Sequence, residues 1–255
     1  MQITPPFGYD DIVPLEKHHK VLLPAATGGS APGFARRINA MAISFSEFAI
    51  AQRDYPIVFT TVDSGATYAP LAVLGLADGQ NLFVDAEGRW VDGAYVPAFV
   101  RRYPFCISRL TVDGVPKDER LVCVERSYID EGGIALFDAQ GAATTEWAAR
   151  ERMLAEYEKD LDLTAQMCAF FQKLELFTPF TMQVRHGDAP GLTMQGMFCI
   201  DENKFVELSA ANHKALAGKG LAARAYAHLF SLANFSRLYD RAVAEEARRK
   251  ARARD

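Results

Sequence analysis

No two cysteines in this chain form a Cys-x-x-Cys pair. The four present, Cys106, Cys123, Cys168 and Cys199, are widely spaced within apolar runs. That excludes a zinc ribbon or a disulfide framework and predicts buried, reduced thiols. No apolar run approaches the ~20 residues of a membrane-spanning helix. Neither sign of charge dominates. A net charge of −4 over 255 residues removes the basic excess on which non-specific nucleic-acid binding rests. There is no Gly-x-Ser-x-Gly elbow and no His-Glu-x-x-His pair. The small-residue loop 25–33, with Gly28-Gly29, lacks the Lys-Ser/Thr of a phosphate loop and the spacing of a dinucleotide fingerprint. The first eleven residues, M-Q-I-T-P-P-F-G-Y-D-D, carry neither a basic n-region nor an apolar h-region. These absences lead us to expect a cytoplasmic protein with no metal, no cofactor, no nucleic-acid partner and no membrane span.

What is present is an ordinary globular composition, 49% apolar and 24% charged, enough for a sizeable core without disulfides. The length allows one large domain or two small ones. Apolar and aromatic runs at 56–62 and 68–76 flank Asp63-Ser64-Gly65, a hairpin signal. Residues 81–85, 106–112, 120–127 and 133–137 read as further strands. From Thr144 the period changes. Trp147, Leu154, Tyr157, Leu161, Thr164, Cys168, Phe171 and Leu174 recur mostly at threes and fours, which predicts an amphipathic helix over roughly 144–177, capped by Thr144 or Thr145 and ended by Pro179. A break near Asp160–Asp162 is the variant of this helix. A hairpin around His186-Gly187-Asp188 and a short helix at 205–217 follow. A second long helix runs over 221–247, with a basic, solvated end.

The expected fold class is therefore α+β, an antiparallel-rich sheet from the N-terminal half covered by two long C-terminal helices. We expect one domain over residues 1–255. The alternative is a sheet-rich domain over residues 1–142 followed by a helical domain over residues 143–255.

The densest stretch is 81–105, N-L-F-V-D-A-E-G-R-W-V-D-G-A-Y-V-P-A-F-V-R-R-Y-P-F. Ala86-Glu87-Gly88 marks a turn. Pro97 suits the first turn of a short helix, and Pro104 ends it by restricting the residue before it. The same grammar occurs about fifty residues away. Asp54-Tyr55-Pro56 answers Arg102-Tyr103-Pro104, and Leu82-Phe83-Val84-Asp85-Ala86-Glu87-Gly88 answers Leu136-Phe137-Asp138-Ala139-Gln140-Gly141. Internal duplication and coincidence between similar turn signals both account for it.

The residues Asn81-Leu82-Phe83-Val84-Asp85, Trp90, Tyr95-Val96-Pro97-Ala98, Arg101-Arg102-Tyr103-Pro104-Phe105, Gly141 and Tyr226-Ala227-His228-Leu229-Phe230-Ser231-Leu232 resemble the SapC family of bacterial proteins. Tyr55-Pro56-Ile57-Val58-Phe59 fits the same pattern. The resemblance covers nearly the whole chain. It implies association with carbohydrate uptake, beside TonB-dependent receptors, and it carries no catalytic residues over. The S-layer association in the family's name fits poorly with the lack of a secretion signal.

Residues set among aromatics make the candidate ligand site. These are Trp90, Tyr95, Arg101, Arg102 and Tyr103. Arginine forks onto anions, and aromatic faces stack on sugars or cations. The competing structural role pairs arginine with Asp54 or Glu47 and buries the rings. Successive helical residues point about 100° apart, and of the two arginines Arg102 is expected to be the buried one. His186-Gly187-Asp188 has the spacing of an iron ligand pair but sits where a turn is expected. His228 reads as a packed histidine. The functional expectation is a non-enzymatic accessory or binding protein of a bacterial nutrient system, with an unidentified protein or small-molecule partner. The alternative is an enzyme acting on a carbohydrate through an Arg/Tyr-lined pocket.

Overall fold

A computed structural model describes residues 2–24, 31–63, 65–112, 115–184 and 192–252. Gly28-Gly29 and the His186-Gly187-Asp188 turn lie outside the described residues. The fold is α+β. A five-stranded antiparallel sheet runs in the order β10 (Phe177–Val184), β11 (Leu192–Ile200), β5 (Ile57–Thr61), β6 (Tyr68–Val73) and β4 (Ala40–Ala42). A four-stranded sheet runs β1 (Gln2–Ile3), β7 (Phe105–Val112), β8 (Val115–Glu125) and β2 (Ile12–Pro14). A small pair joins β3 (Lys20–Val21) to β9 (Ile134–Ala135). The larger sheet is thus not confined to the N-terminal half, because a hairpin from residues 177–200 supplies two of its strands.

Helix α3 (Thr145–Lys173) holds the two sheets in one framework. Its 29 residues extend about 44 Å at 1.5 Å per residue. Thr144 caps it, its Oγ1 accepting from the Trp147 amide. The early stripe, Trp147 and Leu154, packs with Phe105 and Val124 of the four-stranded sheet. The later stripe, Met167, Cys168 and Phe171, packs with the five-stranded sheet. The helix is continuous through Asp160. That carboxylate bonds to Ser46 of a distant turn rather than breaking its own helix. The helix stops before Pro179, where Glu175 takes φ +54 and the Leu176 amide bonds back to Phe171. Pro179 lies in β10 at the sheet edge, where a missing N–H does no harm.

Two further differences from the sequence expectation have local causes. Residues 81–85 form no strand, only an isolated bridge from Val84 to Trp90. Asn81 accepts the Phe83 amide and donates to Ala35 O, so its side chain competes with the ladder. The terminal helix is two helices, α6 (Leu221–Ser231) and α7 (Asn234–Arg252). At the break, Ser231 Oγ donates to His228 O and accepts from Ile57 N, while Asn234 donates to Gln52 O and Tyr55 O. Polar side chains placed at the break tie it to α1 (Phe48–Ala51) and β5. Likewise the 205–217 segment divides into α4 (Glu202–Val206) and α5 (Ala210–Gly218). Among the described residues no helix is long and apolar enough to cross a membrane.

His228 on α6 has 0% exposure. Its Nε2 accepts from the Ile200 amide and its Nδ1 meets Ile57 O at 2.8 Å. Strands β5 and β11 pair at Phe59 and Phe198, and the imidazole bridges them one step further along. Burial pushes its pKa down to about 4, opposed by the bond to Ile57. The four cysteines are free thiols, three of them buried. Burial pushes Cys106 and Cys168 up to about 12 and Cys123 to about 11, so they pack as small apolar groups.

The two matching turns have the same local form. The turn at Asp85 bonds its amide to Arg89 O and takes the Gly88 amide on Asp85 O. The turn at Asp138 bonds its amide to Ala142 O and takes the Gly141 amide on Asp138 O. Both turns close an isolated bridge, Val84 to Trp90 and Phe137 to Ala143. Both glycines have positive φ, +83 and +78, which a side chain would strain.

Candidate functional site

Two short helices meet the middle of α3, and their N-termini are satisfied from outside. Ser44 starts a 3-10 turn, Phe45–Glu47, that leads into α1. The Ser44 amide and Oγ both donate to Glu47 Oε2 at 2.8 Å. The Phe45 amide donates to Thr164 Oγ1, and the Ser46 amide and hydroxyl donate to Asp160. Tyr157, Asp160 and Thr164 share one face of α3 because they are three and four residues apart. Asp160 and Thr164 supply acceptors to the amides that a helix start leaves unpaired. Thr164 and Asp160 therefore cap this helix start from α3.

Glu47 performs a second capping task. Its Oε1 accepts from the Ala98 amide, at the start of α2 (Ala98–Arg101), and from Tyr95 Oη, at 2.7 and 2.9 Å. Four donors converge on a carboxylate that is 4% exposed. Tyr95 Oη in turn accepts from Arg101 Nη2 at 3.0 Å, and the Arg101 guanidinium stands 5.6 Å from the Tyr95 ring centre. Burial first, and the neighbouring Glu47 charge second, raise the Tyr95 pKa to about 12 against the pull of Arg101. The phenol is a fixed donor at neutral pH.

A cleft of about 440 Å³ opens here between the capped turn, α2 and α3. Ser46, Glu47, Tyr95, Arg101, Tyr157 and Asp160 line it, with Glu156 and Lys159 beside them. Cations and carboxylates thus alternate around one small opening.

Of the five candidate residues, Tyr95 and Arg101 face this cleft. Arg102 lies behind it, 5% exposed, with its guanidinium carbon 4.5 Å from the Phe99 ring centre, 5.0 Å from Tyr157 and 5.6 Å from Tyr9. Arg102 is the buried one of the pair, but the carboxylate partners expected for it are engaged elsewhere. Glu47 is saturated as described, and Asp54 accepts from the Tyr95 amide. Arg102 Nε has no hydrogen-bond partner among the described residues. An aromatic cage takes the place of the ion pair. Trp90 supports the cleft from behind. Its Nε1 donates to Tyr55 Oη, which donates to Tyr95 O. Tyr103 is elsewhere, its ring 5.0 Å from Tyr9 and 5.1 Å from Tyr128.

The cleft residues that the sequence pattern did not single out are Ser46, Tyr157 and Asp160. Their one sequence signal is an aspartate three residues after a tyrosine on the apolar stripe of an amphipathic helix, where a carboxylate needs a partner.

No curated protein and no solved structure matches this chain. The SapC family model matches residues 16–238, from the turn before β3 into α7 and across the whole cleft. The chain belongs to the SapC family.

Proposed function

We propose that this protein is a non-enzymatic binding protein of a bacterial carbohydrate uptake or utilisation system. Its ligand is a small polyhydroxylated molecule held in the cleft between α2 and α3. The observation that carries this reading is the saturation of Glu47, which already takes four hydrogen bonds, the full acceptor capacity of a carboxylate. Asp160 takes one bond from Ser46 on each oxygen. A general base needs a lone pair within reach of substrate. Glu47 has none left and Asp160 is held in place by Ser46, which suits a rigid recognition surface. The groups left to meet a ligand are the outer face of Arg101, Glu156 and Lys159, and the Tyr157 surface. Mixed donors and acceptors around one opening fit hydroxyl groups better than a single net charge does.

A thermal-shift screen of mono- and disaccharides tests this. A binder present at a hundredfold excess over its Kd stabilises the fold by about 2.7 kcal/mol. Arg101→Ala should keep the ligand-free midpoint and lose the ligand-induced shift. If no sugar moves the midpoint, or if Arg101→Ala responds as fully as wild type, the proposal fails. Chemical conversion of a bound sugar would establish the enzyme instead.

A further inference from the structure

Between β2 and β3 the chain makes a four-residue turn, Glu16-Lys17-His18-His19, closed by the His19 amide on Glu16 O at 3.0 Å. One ligand atom each from Glu16, His18 and His19 lies within 4.8 Å of the others. The geometry points to a divalent transition-metal site at this turn, made of two imidazoles and one carboxylate and distinct from the cleft.

The spacing of the donors supports it. Glu16 Oε2 and His18 Nδ1 are 3.3 Å apart. Two ligands each about 2.0–2.1 Å from a tetrahedral zinc ion are separated by roughly 3.3 Å, so an ion fits between them with the side chains where they stand. His19 Nδ1 faces the Glu16 amide at 3.1 Å. That nitrogen accepts from the amide, so ligation through it exchanges this hydrogen bond for the metal bond. The two imidazoles are already gathered, with ring centres 4.5 Å apart.

The turn is also held at both ends. Before it, the Leu15 amide bonds to Val122 O beside the β2–β8 ladder. After it, Lys20 pairs with Ala135. Fixing both ends removes much of the ordering cost that a loop site otherwise meets. The cation within the turn is turned away. Lys17 Nζ lies 5.9 Å from the Phe137 ring centre and close to Gly141. Glu16 and His18 are exposed and His19 is half-buried, so an ion reaches the site directly and the remaining coordination positions stay open to water or a further ligand. A two-nitrogen, one-oxygen donor set selects the borderline ions, Zn²⁺, Co²⁺, Ni²⁺ or Cu²⁺, over Mg²⁺ and Ca²⁺.

Titration of the full-length, tag-free protein with ZnCl₂ by calorimetry decides this, with the Co²⁺ visible spectrum as a report on ligand number. Wild type should bind one Zn²⁺ per chain. His18→Ala and His19→Ala should each weaken binding at least tenfold, while His213→Ala should bind as wild type does. His18 and His19 are turn positions and His213 lies in α5, and a thermal melt of each variant checks that the fold is kept. The proposal is overturned if wild type shows no saturable binding, or if the His18→Ala/His19→Ala double variant binds Zn²⁺ within twofold of wild type, which would place the ion elsewhere. Because the readout is the metal alone, the result does not depend on whether the cleft binds a sugar.

Discussion

Two regions of this molecule share one local design and differ in what surrounds them. The first runs from α1 through Asp54-Tyr55-Pro56 to the hairpin β5–β6 and the Asp85 turn. The second runs from α2 through Arg102-Tyr103-Pro104 to the hairpin β7–β8 and the Asp138 turn. In the first, Tyr55 is fully buried, its ring 4.6 Å from Phe83 and its hydroxyl between Trp90 and the Tyr95 carbonyl. In the second, Tyr103 is half-buried and packs among Tyr9, Phe34 and Tyr128. The preceding residues diverge further. Asp54 caps a backbone amide, and Arg102 fills an aromatic cage. Matching turn chemistry sets the path of the chain. The five-stranded sheet with its helices then makes the first region a core, while the smaller sheet leaves the second region partly at the surface.

The sharpest way to break this comparison is to truncate both tyrosines. Tyr55→Ala should cost roughly 3–5 kcal/mol, as full truncation of a buried aromatic does. Tyr103→Ala should cost about half as much. Equal costs in denaturant melts would mean that the two regions are energetically equivalent.

The first region is tied to the C-terminal helices by His228, and pH reads that tie. The imidazole binds its proton near pH 6.5 when unfolded and near 4 when folded. Between those values the unfolded state binds more protons. The contribution of His228 is therefore fully present above pH 6.5 and is lost as pH falls towards 4, by about 3 kcal/mol in total. Denaturant midpoints measured from pH 7 to pH 4.5 should show this fall. It should be missing from His228→Gln, whose side chain does not titrate. An unchanged slope in that variant would assign the fall to other groups.

The smallest effects belong to the two arginines of the second region. Arg102→Ala should cost on the order of 2 kcal/mol through lost cation–π contact and a cavity. Arg102→Met, which fills the cage and removes the buried charge, should cost less. Arg101→Ala should stay within about 0.5 kcal/mol of wild type. If Arg102→Met, which refills the cage, still costs the roughly 3–5 kcal/mol of a broken buried ion pair, the guanidinium has a charged partner that outweighs the aromatic cage.

Much of this was legible in the chain. Strand-like apolar runs marked β5 and β6, and threes-and-fours spacing marked the buried stripe of α3. Glycine after an aspartate marked both turns, and the order of the two arginines on α2 marked Arg102 as the inner one. Each of these rests on interactions between near neighbours, which spacing encodes. Other features depended on partners more than a hundred residues away. Asp160 looked like a helix breaker until Ser46 stood opposite it. The apolar pattern of 221–243 hid a break, because Ser231 and Asn234 meet β5 and α1 only in three dimensions. A third feature was local: residues 81–85 had strand composition, but the Asn81 side chain, two residues away, took the Phe83 amide that a ladder needs.

The sequence by itself determined the α+β class, the principal strand and helix segments, the two matching turns and the family. The tertiary structure decided which carboxylates cap which helices, that Arg102 sits in an aromatic cage with no ion pair among the described residues, and that Tyr95 and Arg101 meet Asp160 at one cleft. The reason is physical. Periodicity records which face of an element is apolar, whereas the pairing of buried polar groups is settled only when distant elements pack and each donor must find an acceptor.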